Sequence, residues 1–168
     1  MTRATTLMLA ASLLALGACA KKPPKELPPA PVETTGPVTT DAASSAVVPG
    51  SQEDFVATVS SDRIFFDTDS SDVDGADHAT LQSQAAWLAK YAEKRITVEG
   101  HADERGTREY NLALGERRAN ATKNALVALG VSTARIATVS YGKERPDATG
   151  SDESAWSRNR RAVTVTVQ

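Results

Sequence analysis

The stretch VEGHADERGTREYNLALGERRAN, residues 98–120, decides the fold of this chain. It begins at the end of a segment, residues 95–100, in which apolar and polar residues alternate as in a half-buried β-strand. A loop rich in charged residues follows, and a helix is predicted over residues 107–129. We expect this helix to end at Gly130, because glycine commonly adopts the left-handed conformation just after a helix. A strand, a charged loop and a long helix therefore succeed one another at the centre of the sequence.

Further elements are predicted on both sides of this stretch. One apolar stripe with helical spacing is formed by Leu81, Ala85, Leu88 and Ala92. The order β-α-β-α-β-α-β favours right-handed crossovers and parallel neighbours. We therefore predict an α+β fold, an α/β sandwich with a mixed four-stranded sheet and helices packed on one face. The flanking elements are a strand at 63–67, a helix at 76–94, a strand at 135–142, a short helix at 153–160 and a strand at 162–168.

The N-terminus has the features of a secretory signal, predicted over residues 1–18. Its apolar run is too short to span a bilayer, and it ends in LGAC, which resembles the bacterial lipobox. Cleavage would leave Cys19, the only cysteine, to carry the lipid. The alternative is an ordinary signal that is cut near Ala18 or Ala20. Because Ala20 and not Asp follows the cysteine, the sequence favours the outer membrane.

A proline-rich segment separates this signal from the folded domain. Seven of the eight prolines lie in residues 21–50, which contain no aromatic residue. Such a composition cannot bury enough apolar surface to order itself. We therefore predict that residues 19–50 comprise the lipidated cysteine and a disordered tether, and that residues 51–168 form the folded domain.

Composition and spacing argue against several classes of function. The 168 residues carry a net charge of -2, which does not favour a nucleic-acid-binding protein. Neither a G-x-S-x-G elbow nor a catalytic cysteine is present, and the two histidines, His78 and His101, lack metal-ligand spacing. We expect no catalytic residues, no metal and no cofactor. A hydrolase remains the alternative from the enzyme class.

The charged loop after the central strand has two interpretations. In the simpler one, Glu104, Arg105 and Arg108 are solvated surface charges, and His101 caps or packs against the loop. In the second interpretation, Asp103 and Arg118 have a specific role, because the helix geometry directs one toward the other.

The helix that follows the loop places Arg118 on the same face as Asn111 and either Leu114 or Gly115. The Arg118 side chain leans back toward the helix N-terminus, and so toward the loop with Asp103. The two charges could form a salt bridge. They could also hold a ligand that carries both an ammonium and a carboxylate, since the arginine fork suits a carboxylate.

The residues quoted at the outset, together with three further segments in the same order, resemble the OmpA-like peptidoglycan-binding domain. They are closest to its lipoprotein branch in Gram-negative bacteria. The further segments are FFDTDSSDV at residues 65–73, SYGKERP at residues 140–146 and NRRA at residues 159–162. The resemblance covers residues 55–168 and agrees with the lipobox and the tether.

The resemblance implies a ligand and a set of binding residues. The ligand is the meso-diaminopimelate of the peptidoglycan stem peptide, whose side-chain end keeps a free ammonium and a free carboxylate. By the resemblance, Asp103 would bind the ammonium and Arg118 the carboxylate. Backbone and polar contacts would come from Thr68 and Asp69, and Asn111 and Leu114 would line the pocket.

The resemblance also implies a cellular role. Members of the lipoprotein branch lie at the periplasmic face of the outer membrane, anchored by the lipid on the residue equivalent to Cys19. They tether that membrane to the cell wall within the Tol system, support envelope integrity and division, and bind a β-propeller protein (TolB-like). The sequence gives no independent evidence for this partner. The alternative is a periplasmic protein-docking module outside the Tol system.

Overall fold

The computed structural model describes residues 47–167. The predicted signal peptide, Cys19 and most of the predicted tether lie outside the described residues. Four helices, one short 3₁₀ turn and four strands make up the described part of the chain. In chain order they are α1 (Gln52–Thr58), β1 (Arg63–Phe65), α2 (Gly75–Lys90), β2 (Arg95–His101), α3 (Arg108–Ala128), the 3₁₀ turn (Thr133–Arg135), β3 (Ile136–Gly142), α4 (Glu153–Asn159) and β4 (Arg161–Val167).

The four strands form one mixed sheet in the order β1-β4-β2-β3. Strands β2 and β3 are parallel and are connected through α3, whereas β4 runs antiparallel to both β1 and β2. The prediction of an α+β fold with a mixed four-stranded sheet is confirmed. The chain returns through β4 to the centre of the sheet, a placement that the sequence left open.

The hydrophobic core lies between the sheet and the helices α2 and α3. It is built from the inward residues of β2, Ile96 and Val98, and from residues of both helices. The first three residues of the predicted stripe in α2 are buried. The prediction for Ala92 is wrong: this residue is exposed, because α2 ends at Lys90 and a turn leads directly into β2.

The structure adds α1, which the sequence analysis did not predict. Ser51 caps this helix by accepting a hydrogen bond from the Asp54 N–H. Phe55 is fully buried and meets the Trp87 ring edge to face at 5.0 Å. The Trp87 Nε1–H donates to Asp54 at 3.0 Å, so that α1 is fixed to α2 by packing and by one polar contact.

Two glycines bring α3 directly onto β2. A Cβ added to Gly100 would lie 1.8 Å from the Gly115 carbonyl oxygen, and one added to Gly115 would lie 2.4 Å from Ser140 Oγ. At this crossing of α3 and β2 there is room for the hydrogen atoms of the glycines but not for a side chain. The register of β2 against β3 shifts between Gly100 and His101, where Tyr141 is an extra residue on β3. The helix ends as predicted, with Gly130 at a φ of 95°.

Candidate ligand-binding cleft

A cleft of about 250 Å³ opens where the turn after β1 meets the charged loop after β2 and the first turns of α3. Five of the six binding residues predicted by the resemblance line it, and the sixth, Arg118, lies behind its wall. The lining residues are Thr68, Asp69, Asp103, Arg105, Gly106, Tyr110, Asn111 and Leu114.

The charged loop is held rigid by contacts to its backbone. The Asn111 side chain is buried and donates through Nδ2 to the Arg105 carbonyl at 2.6 Å. Lys143 Nζ, which follows β3, donates to the Gly106 carbonyl at 2.7 Å. Thr107 caps α3 by accepting from a backbone N–H of its first turn. The loop therefore presents its side chains from a fixed backbone.

Asp103 is 7% exposed and its carboxylate is bound by Arg105 of the same loop. The Arg105 backbone N–H and Nε donate to Oδ1 at 3.1 and 3.0 Å, and Nη2 donates to Oδ2 at 2.6 Å. A second guanidinium, that of Arg160, places Nη1 3.6 Å from Oδ2. Arg105 is exposed, as the simpler interpretation predicts, but its side chain is also the main partner of Asp103.

These contacts keep Asp103 ionised. Burial by itself would raise the pKa of this carboxyl group, but the hydrogen bonds from Arg105 outweigh it and the pKa is lowered. Arg108, by contrast, pairs with Glu144 at 2.7 Å on the surface, as expected for a solvated charge.

Arg118 is fully buried and spans three segments of backbone. Its Nε donates to the Ser70 carbonyl at 2.8 Å, Nη1 to the His101 carbonyl at 2.8 Å, and Nη2 to the Asp67 carbonyl at 3.0 Å. The side chain reaches back from α3 toward the loop, as the sequence predicts. However, Arg118 forms no salt bridge with Asp103, whose carboxylate is bound by Arg105 instead.

Burial lowers the pKa of Arg118 to about 10, so the guanidinium stays charged at neutral pH. Three of its five N–H groups donate to carbonyls, and the nearby charge that most favours its protonation is that of Asp103. The back wall of the cleft thus carries a positive charge that is compensated mainly by peptide dipoles.

The turn after β1 forms the opposite wall. Asp69 adopts a left-handed backbone conformation, with a φ of 55°, and accepts a hydrogen bond from the Tyr110 hydroxyl at 3.3 Å. Thr68 Oγ1 lies 3.4 Å from Arg105 Nη2. Two carboxylates, those of Asp69 and Asp103, therefore belong to the same cleft.

His101 lies outside the cleft. Its ring is 2% exposed and packs on Tyr141 at a centroid distance of 5.6 Å, as the packing interpretation predicts. Within residues 47–167, no group of three or more His, Cys, Asp or Glu side chains is arranged to hold a metal ion. In the same residues, no helix is long and apolar enough to cross a membrane.

Sequence reasoning missed three residues of this site. Arg105 was taken for a solvated charge, and Tyr110 and Trp156 were not singled out. The spacing of Tyr110, one residue before Asn111 on α3, could have indicated a place near the loop. No signal in the sequence connects Trp156 to a loop fifty residues earlier.

The α+β fold places the turn after β1, the charged loop after β2 and the first turns of α3 around one cleft. A family model described as the OmpA family matches residues 65–160, and the chain belongs to this family.

The relatives agree with this assignment. The chain is 55% identical over 157 residues to the peptidoglycan-associated lipoprotein of Rhizobium meliloti, with 90% of this chain and 81% of the relative covered. It is 55% identical over 152 residues to the protein of that name in Agrobacterium fabrum, with the same coverage. The crystal structure of the peptidoglycan-associated lipoprotein from Burkholderia pseudomallei superposes with a TM-score of 0.62 at 44% identity, covering 67% of this chain and 93% of that one.

These relatives bear on two predictions. The resemblance to the lipoprotein branch of the OmpA-like family is confirmed by the family match and by the names of the relatives. Those names denote association with peptidoglycan and no reaction, which supports the prediction of a non-enzymatic protein.

Proposed function

We propose that the domain binds the meso-diaminopimelate side chain of peptidoglycan stem peptides non-covalently in this cleft. The observation that carries the proposal is that five of the six residues expected from the resemblance line one cleft of about 250 Å³. The relatives whose names denote peptidoglycan association support the same ligand class.

The ammonium of the ligand would bind between Asp103 and Asp69. A carboxylate offers about four acceptor positions, and Arg105 uses three on Asp103, with two of its hydrogen bonds on Oδ1 and one on Oδ2. One position on Oδ2 accepts no hydrogen bond within residues 47–167, and an ammonium N–H would take it beside Arg160 Nη1, which lies 3.6 Å from the same oxygen. The Asp69 carboxylate, which accepts from the exposed Tyr110 hydroxyl, would supply the second acceptor.

The carboxylate of the ligand would bind Arg118. Two of its five N–H groups donate to no carbonyl, but the side chain is fully buried beneath the carbonyls of Asp67 and Ser70, so that we expect the turn after β1 to release at least one of them when the ligand binds. A carboxylate is the better acceptor, since charge-assisted hydrogen bonds are about twice as strong as neutral ones. The exchange thus replaces a carbonyl with a stronger partner at the same N–H group.

Binding of a single stem peptide would be modest in affinity. A few charge-assisted hydrogen bonds contribute about 1.5–3 kcal/mol each, and association entropy opposes them. A polymeric ligand raises the effective concentration, so that many tethered copies hold together. We propose that a lipid on Cys19 places the protein at the periplasmic face of the outer membrane, which it would tether to the wall.

Within that role, we propose membership of a Tol-Pal system that supports envelope integrity and constriction at division, with a TolB-like β-propeller as protein partner. The resemblance is the support for this partner. Fractionation of cells that express Cys19→Ser tests the anchor: the variant is expected in the soluble periplasmic fraction, and its recovery in outer-membrane pellets would contradict lipid anchoring.

Sedimentation with purified peptidoglycan tests the ligand. Full-length protein in detergent should pellet with diaminopimelate-type sacculi, and free meso-diaminopimelate should release it. Release by acetate at the same concentration would show a nonspecific charge effect and contradict the proposal. A loss of peptidoglycan mass during the incubation would instead indicate a hydrolase.

A further inference from the structure

Trp156 of α4 contacts both residues that follow Asp103 in the charged loop. The guanidinium carbon of Arg105 lies 4.3 Å from the centroid of the indole ring. The indole Nε1–H donates to Glu104 Oε1 at 3.1 Å. The indole is absent from the residues that line the cleft, so that it acts on the loop rather than on a ligand.

The stacking contact matters because Arg105 is partly exposed and, apart from the indole, its side chain is held only by Asp103 and by a longer contact with Thr68 among the described residues. Its side chain is 40% exposed, yet it supplies all the hydrogen bonds that Asp103 accepts within residues 47–167. A long exposed side chain loses conformational entropy when it is held in one geometry. An aromatic face beneath the guanidinium favours the bound geometry through cation–π attraction and planar stacking.

Helix α4 also brings a second charge to the same carboxylate. Arg160, which follows α4 directly, places Nη1 3.6 Å from Asp103 Oδ2, and this buried nitrogen has no hydrogen-bond partner among residues 47–167. Its other terminal nitrogen donates to Glu153 at 2.6 Å. The position of α4 therefore influences Asp103 along two routes, through Trp156 and Arg105 and through Arg160.

We propose that Trp156 is a positioning residue of the cleft: it holds Arg105 against Asp103, so that the carboxylate faces the cleft in one orientation. This inference rests on the proposed function for its ligand. The other charged groups that face Asp103 are Arg160 after α4, Arg118 on α3, Asp69 in the turn after β1, and the adjacent Glu104. All of them remain in a Trp156 variant, which changes only the contacts of the indole with Arg105 and Glu104.

The experiment compares Trp156→Leu with Trp156→Phe in the full-length protein. Phenylalanine keeps an aromatic face for Arg105 but lacks the N–H that binds Glu104, whereas leucine lacks both. The quantity to be measured is the dissociation constant of a meso-diaminopimelate tripeptide between pH 3 and pH 7. Trp156→Leu should weaken binding about three- to tenfold, the range that loss of a cation–π contact allows. Trp156→Phe should recover most of the affinity.

The pH profile provides a readout that general loosening would not produce. In Trp156→Leu, the weaker contact with Arg105 should move the acid midpoint of binding to higher pH, because Asp103 would be protonated more easily. Arg158→Ala, an exposed change on the same helix, is the matched control and should leave both affinity and midpoint unchanged. Wild-type affinity and midpoint in Trp156→Leu would overturn the inference, and so would equal losses in both Trp156 variants.

A measurement without ligand separates this inference from the proposed function. Titration of the Asp103 carboxyl carbon by NMR should give a higher pKa in Trp156→Leu than in wild type or Trp156→Phe. An unchanged pKa would overturn the positioning role even where the ligand binds. A wild-type protein that fails to bind the tripeptide would overturn the proposed function, while a raised Asp103 pKa in Trp156→Leu would still support the role of Trp156 in holding Arg105.

Discussion

The Asp103 carboxylate accepts three hydrogen bonds from Arg105, the residue two positions further along the same loop. One of them comes from the backbone N–H and two from the guanidinium. The loop backbone and a charged side chain therefore both bind the Asp103 carboxylate. Arg118, fully buried behind the cleft, donates instead to three carbonyls. Arg105 thus holds the Asp103 carboxylate, whereas Arg118 holds the backbone segments around it.

Asp103→Asn should reduce binding to diaminopimelate-type peptidoglycan at least about tenfold. The change removes the negative charge for the ammonium while it keeps the size of the side chain. Sedimentation with sacculi at neutral pH measures the effect, with Arg108→Ala as a control for loss of a surface charge near the loop. Wild-type sedimentation of Asp103→Asn would contradict the role of this carboxylate.

Arg118→Ala should lower the free energy of unfolding by about 3 kcal/mol or more, because three hydrogen bonds from a charged donor are lost and each contributes about 1.5–3 kcal/mol. The carbonyls of Asp67, Ser70 and His101 would each lose the hydrogen bond from Arg118, and Asp67 would keep the one from the Ser70 N–H. Chemical denaturation measures the loss. Because this variant confounds stability with binding, Arg118→Lys is the better binding variant: it keeps the charge but loses the fork. If Arg118→Ala were as stable as wild type, the three hydrogen bonds to carbonyls would not contribute to the free energy of unfolding.

Gly115→Ala should destabilise the domain by about 1–3 kcal/mol or more, because the added methyl group meets Ser140 Oγ and the Gly100 carbonyl. Gly75→Ala is the matched control. A Cβ at Gly75 meets no atom within 4 Å, so that the free energy of unfolding should stay the same or rise. Thermal unfolding of both variants compares the effects, and equal melting temperatures would contradict the close crossing of α3 and β2.

Stability should fall in mild acid because of His101. Burial, together with the positive charges of Arg161 and Arg145, lowers the pKa of His101 to about 4. The unfolded chain, with an ordinary histidine pKa near 6.5, therefore binds more protons than the folded chain between about pH 6.5 and pH 4. The free energy of unfolding should decrease as the pH falls through this window, by on the order of 3 kcal/mol.

Replacement of the titrating ring tests this assignment. His101→Asn should show a lower stability at pH 7 but a flatter decline between pH 6.5 and pH 4. Urea denaturation at several pH values compares the slopes. A decline as steep as that of wild type would assign the acid sensitivity to other groups.

Walls that contain lysine in place of diaminopimelate should bind poorly. Lysine has the ammonium but lacks the second carboxylate, so that Arg118 would gain no partner in exchange for a released carbonyl. Sedimentation with the two wall types in parallel measures the preference, and equal binding would remove the proposed role of Arg118 in specificity.

The sequence alone determined the succession of elements from β1 onward, apart from the 3₁₀ turn, and it predicted five of the eight residues that line the cleft. Period-two alternation in β2, helical spacing in α2 and α3 and a glycine after α3 are local signals, and local backbone preferences follow them. A single loop and the first turns of one helix contribute Asp103, Asn111 and Leu114 to the cleft, so that short-range spacing is enough to bring these three together.

Only the tertiary structure decided the strand order, the burial of Arg118 and the partners of Asp103. Residues 37 to 52 positions apart make these contacts: Thr68 lies near Arg105, Ser70 binds Arg118, and Trp156 binds Glu104. Such pairs depend on how β1 and α4 pack around the central strand–loop–helix, and no local pattern encodes them. For the same reason, the sequence did not predict the contact of Arg105 with the indole ring of Trp156.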